Sequence, residues 1–144
     1  MIYRKLLILY CILISFAVST KGQGMNKDKE IAPACIHFEE REHDVGSFLE
    51  LCPIVSYTFN YTNIGEKPLV IHNIDSGCSC VKVEYTKRPI LNGEKGQIKV
   101  TYNARKKYPG YFKRPIAVTA NGEKERTVLY LKGYMIPATI EKEK

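Results

Sequence analysis

Two cysteines separated by a single residue are the strongest chemical signal in this sequence. Cys78 and Cys80 follow a glycine, and two further cysteines, Cys35 and Cys52, lie earlier in the same region of the chain. Four cysteines in an exported protein are typical of a disulfide framework and allow three pairings. We expect Cys78, Cys80 or both to be bridged to Cys35 or Cys52, which would tie one strand to another and stabilise the fold by about 2–4 kcal/mol.

A disulfide directly between Cys78 and Cys80 is less favourable if the chain is extended there. Two extended residues span about 6.6 Å, which is close to the upper limit for the Cα atoms of a disulfide. Such a bridge would be strained unless a turn at Gly77 brings the two cysteines closer together.

Metal binding and redox exchange are the alternatives for the same pair. On an extended strand the side chains of Cys78 and Cys80 share a face, where their thiolates could hold Cu(I) or Zn(II), with His72 or His37 as a further ligand. One Cys-x-Cys supplies only two of the four ligands of a closed zinc site. Redox enzymes usually place a Cys-x-x-Cys at a helix N-terminus, and no helix is predicted here. The sequence leaves these alternatives open, and we predict no cofactor.

The remaining polar residues indicate no reaction. The three histidines are separated in the chain and share no ligand spacing. The carboxylates Glu39, Glu40, Glu42 and Glu50 cluster near the first strand, which is typical of a solvated face, whereas a catalytic pair needs opposed placement across a substrate. The motifs of serine hydrolases, phosphate-binding loops and zinc proteases do not occur in the sequence. We therefore predict that the protein is not an enzyme.

The first residues have the three parts of a secretory signal peptide. Arg4 and Lys5 precede an apolar run of thirteen residues, 6–18, which is followed by Ser19 with small residues around it. We predict cleavage at Ser19 and export to the periplasm, the medium or the cell surface. Thirteen residues are too few to cross about 30 Å of hydrocarbon, so we expect no membrane segment in the mature chain. Cys11 lies in the middle of the apolar run and is not expected to accept a lipid.

A chain of 144 residues suggests one folded domain. We assign residues 1–19 to the signal peptide, 20–33 to a flexible leader, 34–138 to the domain and 139–144 to a polar tail. The formal net charge is +7, but the basic residues are scattered beside turns. This distribution is typical of solubilising charge, so we predict no nucleic-acid partner.

The body of the chain alternates between apolar and polar residues in short runs. The clearest run is 55–62, in which Val, Tyr, Phe and Tyr alternate with Ser, Thr, Asn and Thr. Period-two alternation predicts a half-buried strand. About seven such runs, separated by turn residues such as Asn121 and Gly122, predict an all-β fold, an immunoglobulin-like antiparallel β-sandwich. The pair Cys78–Cys80 is predicted to begin the strand 78–85, and Tyr108 and Tyr111 are predicted to lie in a loop.

The order of several short motifs resembles a bacterial domain of unknown function, DUF 1573. The resemblance covers residues 36–136. The residues that carry it most clearly are Tyr57, Phe59, Tyr61, Thr62, Asn63, Gly65, Pro68, Leu69 and Ile71, followed by Gly77, Cys78 and Cys80. The family's usual Cys-Gly-Cys-Thr run differs here, because Ser79 and Val81 replace the glycine and the threonine. The resemblance implies a secreted immunoglobulin-like module and carries no activity with it.

These observations predict an exported module that acts by binding or by structural association with an unknown protein at the cell envelope. An exposed edge strand could pair with such a partner. The alternative is a thiolate metal-binding or thiol-redox module that is centred on Cys78 and Cys80.

Overall fold

Two four-stranded sheets packed face to face form the domain, as a computed structural model shows for residues 30–122 and 124–138. This part of the chain contains strands and no helix, so the predicted all-β immunoglobulin-like sandwich is confirmed, with eight strands in place of about seven. The strands are β1 (Ile36–Phe38), β2 (Glu42–Leu49), β3 (Ile54–Asn63), β4 (Ile71–Asp75), β5 (Val81–Tyr85), β6 (Lys95–Asn103), β7 (Gly110–Ala120) and β8 (Arg126–Ile136).

The first sheet has the strand order β1-β3-β6-β5 and the second has the order β2-β8-β7-β4. All pairs of neighbouring strands are antiparallel except β2 and β8, which run parallel. The expectation of a purely antiparallel sandwich was therefore wrong at this one pair. The hairpin predicted at Asn121 and Gly122 is confirmed, because β7 and β8 pair on either side of it.

A β-bulge shapes the edge strand β2. The run His43 to Gly46 has the composition of a bend, yet it lies within β2, whose register against β8 shifts between Asp44 and Ser47. Gly46 has a φ of 73° at this point, and its amide donates to Asp44 Oδ1 over 2.8 Å. The Asp and Gly that predict a bend therefore form a bulge, because the flanking residues can still pair with β8.

The inward positions of the long strands fill the space between the sheets. Phe59 and Tyr61 of β3 alternate with exposed or half-buried residues, as the sequence predicts. Strand β6 supplies Ile98, Val100 and Tyr102 and strand β8 supplies Leu129, Leu131 and Met135, all almost completely buried. The core is continuous across both sheets.

Asn63, at the end of β3, is a buried polar side chain with all of its hydrogen-bonding capacity in use. Its Oδ1 atom accepts from the amides of Cys35 (3.2 Å) and Gly65 (3.0 Å). Its Nδ2 atom donates to the carbonyls of Lys67 and Ile90, both over 2.9 Å. One side chain therefore joins its own turn, residues 63–67, to the segments around Cys35 and Ile90 at this end of the sandwich.

The predicted signal peptide with its cleavage at Ser19, and the polar tail 139–144, lie outside the described residues. The last residues of the predicted leader are hydrogen-bonded to the domain: the Ala32 amide donates to Glu66 Oε2 (3.0 Å) and the Lys67 amide donates to the Ala32 carbonyl (3.2 Å). In the part of the chain that the structure describes, no helix is long and apolar enough to cross a membrane.

Candidate functional site

The cysteine pair lies in the turn between β4 and β5, and its two cysteines are bonded to each other. The Cα atoms of Cys78 and Cys80 are 5.1 Å apart. Strand β5 begins only at Val81, so the predicted strand 78–85 starts three residues too early. Gly77 adopts a φ of 62°, and its amide donates to Asp75 Oδ1 over 2.8 Å. This turn shortens the span below the extended value of about 6.6 Å and permits the local disulfide.

Cys52 is exposed and free at the same end of the sandwich. Strand β6 separates it from the disulfide, because the amide of Asn103 donates to the Cys80 carbonyl (2.8 Å) and the amide of Ala104 donates to the Pro53 carbonyl (2.7 Å). Two strand spacings of about 4.8 Å each exceed the roughly 7 Å that a disulfide can bridge. The expected bridge from the pair to Cys52 was therefore wrong.

Cys35 is free and partly buried beyond the opposite end of β3. Its carbonyl accepts the amide of Ile64, which follows the last residue of that strand. A strand of ten residues is about 33 Å long. A bridge between Cys35 and the pair, which was the other expectation, is excluded by this distance.

The structure does not bring the predicted histidine ligands together with the thiols. His72 is exposed on β4, and His37 is exposed on β1. Within residues 30–122 and 124–138, no group of three His, Cys, Asp or Glu side chains is placed to hold a metal ion. Any metal at Cys78 and Cys80 would therefore need the disulfide to be reduced and further ligands to be supplied by another molecule.

Hydrogen bonds between side chains and the backbone stabilise the disulfide turn. The amide of Cys80 donates to the Sγ atom of Cys78 over 3.1 Å, and Ser76 Oγ donates to the Cys78 carbonyl over 3.2 Å. Both cysteines are partly exposed.

A contiguous apolar surface lies on the outer face of the second sheet at the same end as the disulfide. We call it the Tyr134 patch, and it consists of Leu49, Tyr111, Tyr134 and Ile136. Leu49 is the register partner of Ile136, and Tyr111 is the partner of Tyr134. The four side chains are 52%, 64%, 47% and 39% exposed in chain order. Large apolar side chains grouped on one face in this way mark an interaction surface more often than isolated ones do.

A charged cluster borders the Tyr134 patch on the next rows of the sheet. The carboxylate of Glu42 accepts from Lys113 Nζ over 2.5 Å and from Lys132 Nζ over 2.7 Å. The Lys113 ammonium also lies 4.4 Å from the centre of the Tyr130 ring. The hydrogen bonds from Lys113 and then Lys132 lower the pKa of Glu42 from its ordinary 4.5 to about 2. The cluster holds Lys113 and Lys132 in ion pairs beside the patch.

This cluster predicts an acid-dependent loss of stability. Because the pKa of Glu42 is lower in the folded state, its charge stabilises the fold above pH 4.5, and this contribution disappears as the pH falls from about 4.5 to about 2. We expect the variant Glu42→Gln to unfold at lower denaturant concentration than the parent at pH 7, and the difference between the two proteins to shrink towards zero near pH 2. A difference that stays constant over this range would contradict the prediction.

Sequence reasoning did not find the Tyr134 patch. Tyr111 was predicted to lie in a loop, but it is the second residue of β7. Tyr134 was predicted only as part of a last strand over 127–135, which ends one residue before Ile136, the last residue of β8. The alternation of β8 marks both as outward-facing, which is a signal available in the sequence. The alternation does not show which residues lie beside Tyr134 and Ile136, because their neighbours Tyr111 and Leu49 belong to other strands.

The sequence profile of a family described as "Protein of unknown function (DUF1573)" matches residues 36–135. This match covers almost the whole described domain. No curated protein matches the chain.

Solved structures with the same fold come from several kinds of protein. A protein of unknown function from Porphyromonas gingivalis W83 superposes with a TM-score of 0.60 and 11% identity, over 70% of this chain and 46% of that chain. The ASH / PapD-like domain 7 of human CEP192 gives a TM-score of 0.57 and 10% identity, over 74% and 89%. The secreted serine protease VesC from Vibrio cholerae gives 0.56 and 12%, over 72% and 24%.

These likenesses concern the fold alone, because the identities are so low. The chain spans less than half of the Porphyromonas protein and about a quarter of the Vibrio protease. A sandwich of this kind is therefore found both as nearly the whole of a solved domain and as one part of a larger chain.

Proposed function

Since this chain belongs to the DUF1573 family of proteins of unknown function, its role must be inferred from its own surface, and we propose that it is a non-catalytic binding or assembly module. We propose further that it is exported and acts in the periplasm or at the cell surface. The N-terminal run of two basic residues and thirteen apolar residues supports export.

The Tyr134 patch is the observation that carries the proposal. Tyrosine and aliphatic side chains that are held on a rigid sheet lose little entropy when a partner covers them. Tyr134 and Tyr111 lie side by side across β7 and β8, so they present a flat aromatic surface. A protein partner with a complementary apolar face fits this surface.

The edge strands are less suited to the association than this face. Strand β1 has only three residues, and β2 carries the bulge at Asp44–Ser47. Strand β4 has a register shift between Ile71 and Asn73, and the exposed side chains of β5 are charged. Short, bulged and charged edges discourage strand addition. The structure therefore favours a face-to-face contact over the edge pairing that the sequence suggests.

The charged residues near the patch indicate which sign of charge surrounds the contact surface of the partner. The loop before β7 contains Arg105, Lys106 and Lys107, all exposed and without a carboxylate partner among the described residues. They lie four to six residues before Tyr111. An apolar centre with a basic rim is complementary to a partner that has an apolar centre and an acidic rim.

Site-specific photo-crosslinking tests the proposed surface. A photoreactive phenylalanine analogue is placed at Tyr134 in the native host, and the same analogue at Ser56, which is exposed on the outer face of the first sheet, provides the matched control. We expect a defined protein adduct from position 134 and none from position 56, and we expect the substitution Leu49→Asp to remove the adduct. Equal adducts at both positions, or an adduct that survives Leu49→Asp, would disprove the role of the patch.

Export is tested separately by the N-terminus of the protein in fractionated cells. Mass spectrometry of the envelope or medium fraction should find a chain that begins at about residue 20. A chain that retains Met1 and remains in the cytosolic fraction would rule out export, whatever the crosslinking shows.

A thiol-redox or thiolate metal-binding module is the second candidate. It is favoured by the hydrogen bond from the Cys80 amide to Cys78 Sγ in a partly exposed turn. Thiol alkylation before and after the addition of Cu(I) or Zn(II), followed by non-reducing mass spectrometry, distinguishes the two candidates. If only Cys35 and Cys52 are alkylated in the native protein, the pair is structural. If Cys78 and Cys80 are alkylated and a metal protects them, the second candidate is correct.

A further inference from the structure

A concave pocket lies at the end of the sandwich opposite the Tyr134 patch. Its volume is about 190 Å³, and it is lined by Cys35, Ile36, His37, Arg41, Ile64 and Lys124. Pockets for drug-sized ligands are usually about 300–1,000 Å³. This pocket is therefore large enough for a small organic molecule only.

The pocket has a marked excess of positive charge. Arg41 and Lys124 line it beside His37, and no carboxylate of residues 30–122 or 124–138 does. Elsewhere on the described surface, five lysines and arginines are held in ion pairs with glutamates, whereas Arg41 and Lys124 form no such pair with another described residue. A guanidinium and an ammonium that face one cavity without a carboxylate partner are complementary to an oxyanion.

The rest of the lining is mostly apolar. Ile64 is 58% exposed, although it directly follows a buried residue of β3. Its amide donates to the carbonyl of Cys35, and the partly buried Ile36 follows Cys35 on β1. An aliphatic wall beside two cations fits a ligand that carries both a negative group and a short apolar part.

The backbone that forms the walls is fixed by hydrogen bonds from several segments. The Cys35 amide donates to Asn63 Oδ1 (3.2 Å), and the Arg41 carbonyl accepts the amide of Tyr130 (2.8 Å). The hairpin that carries Lys124 is held by Asn121, whose Oδ1 accepts the Val70 amide over 2.8 Å. Residues 35–41, Ile64 and the hairpin that carries Lys124 thus converge on one preformed cavity.

We propose that this pocket binds a small organic monocarboxylate, with the carboxylate between Arg41 and Lys124 and the aliphatic part against Ile36 and Ile64. His37 borders the carboxylate end, and Cys35 lies at the wall beside the aliphatic part. The site is independent of the association surface that is proposed above, since the two lie at opposite ends of the domain.

Nuclear magnetic resonance titration of the chain as it is recovered from the cell tests the binding. Hexanoate is the probe, hexanamide is its uncharged counterpart, and inorganic phosphate is an oxyanion without the aliphatic part. We expect hexanoate to shift the amide signals of Ile36 and Lys124 with a Kd of about 0.1–1 mM, and hexanamide and phosphate to bind at least about tenfold more weakly. No saturable shift with hexanoate would overturn the proposal. If phosphate binds as tightly as hexanoate, the claim that the ligand is an organic molecule would be wrong.

Variants that each neutralise one charge, and the alkylation rate of the Cys35 thiol, show where the ligand binds. Arg41→Gln and Lys124→Gln should each weaken hexanoate binding about tenfold, whereas Arg105→Gln, an exposed arginine at the opposite end, should leave it unchanged. Hexanoate should also slow the alkylation of Cys35 and leave the alkylation of Cys52 in the same molecules unaffected. If Arg105→Gln weakens binding as much as Arg41→Gln, or if both thiols respond equally, the binding is non-specific and the proposal is wrong.

Discussion

Replacing Asn63 by leucine is expected to lower the free energy of unfolding by about 4 kcal/mol or more. The variant removes the side-chain partner of two amides, those of Cys35 and Gly65, and of the Lys67 carbonyl, while the Ile90 carbonyl keeps its bond from the Leu69 amide. A buried backbone group that loses its partner costs about 1–3 kcal/mol. Domains of this size have a total stability of about 5–15 kcal/mol, so the variant should be largely unfolded at temperatures that the parent tolerates.

Asn60→Leu is the matched control for this prediction. Asn60 lies three residues earlier on the same strand, and its amide makes an exposed hydrogen bond of 3.3 Å to Glu39. We expect this variant to change the free energy of unfolding by less than about 0.5 kcal/mol. Chemical denaturation of both variants gives the comparison, and similar losses for both would show that Asn63 does not hold this end of the sandwich together.

Truncation of Phe59 to alanine is expected to destabilise the domain by about 3–5 kcal/mol. Its side chain is completely buried in the middle of β3. The ring packs edge to face against Tyr57, with 5.0 Å between the ring centres. The variant therefore removes buried apolar area and leaves a cavity that two rigid sheets cannot readily close.

Ile54→Ala is the control for Phe59→Ala. It tests whether the loss of stability depends on the burial of the side chain or follows whenever an apolar side chain of β3 is truncated. Ile54 is an apolar residue of the same strand and is 56% exposed on the outer face. Its truncation should cost no more than about 0.5 kcal/mol. Thermal and denaturant unfolding would measure both variants, and an equal loss at the two positions would mean that the two faces of β3 are assigned incorrectly.

The Tyr134 patch and the carboxylate pocket should bind different kinds of partner, and each should do so independently of the other. The Tyr134 patch is an exposed sheet face that suits a macromolecule, whereas the pocket beside Cys35 admits only a small one. Because they lie at opposite ends of the sandwich, a substitution at Leu49 should leave hexanoate binding unchanged. Arg41→Gln should likewise leave the crosslink from position 134 intact.

Much of the fold was predictable because strand periodicity is a local property. The alternation in 55–62 identified β3 and its inward rings, and Asn121 with Gly122 identified the β7–β8 hairpin. Asn63 and Gly65 were recognised as part of the family resemblance. Their role as a buried junction was not recognised, because the partners of Asn63 lie up to 28 residues away in the chain.

The sequence by itself determined that this protein is an all-β sandwich of the DUF1573 family, and it predicted export. Only the tertiary structure decided that β2 runs parallel to β8, that Cys78 pairs with Cys80, and that Leu49 joins Tyr134 on one surface. Side-chain alternation depends on neighbouring residues, so it can be read along the chain. Strand pairing, disulfide choice and surface composition depend on which distant segments pack together, and on the exact φ angle of a turn such as that at Gly77.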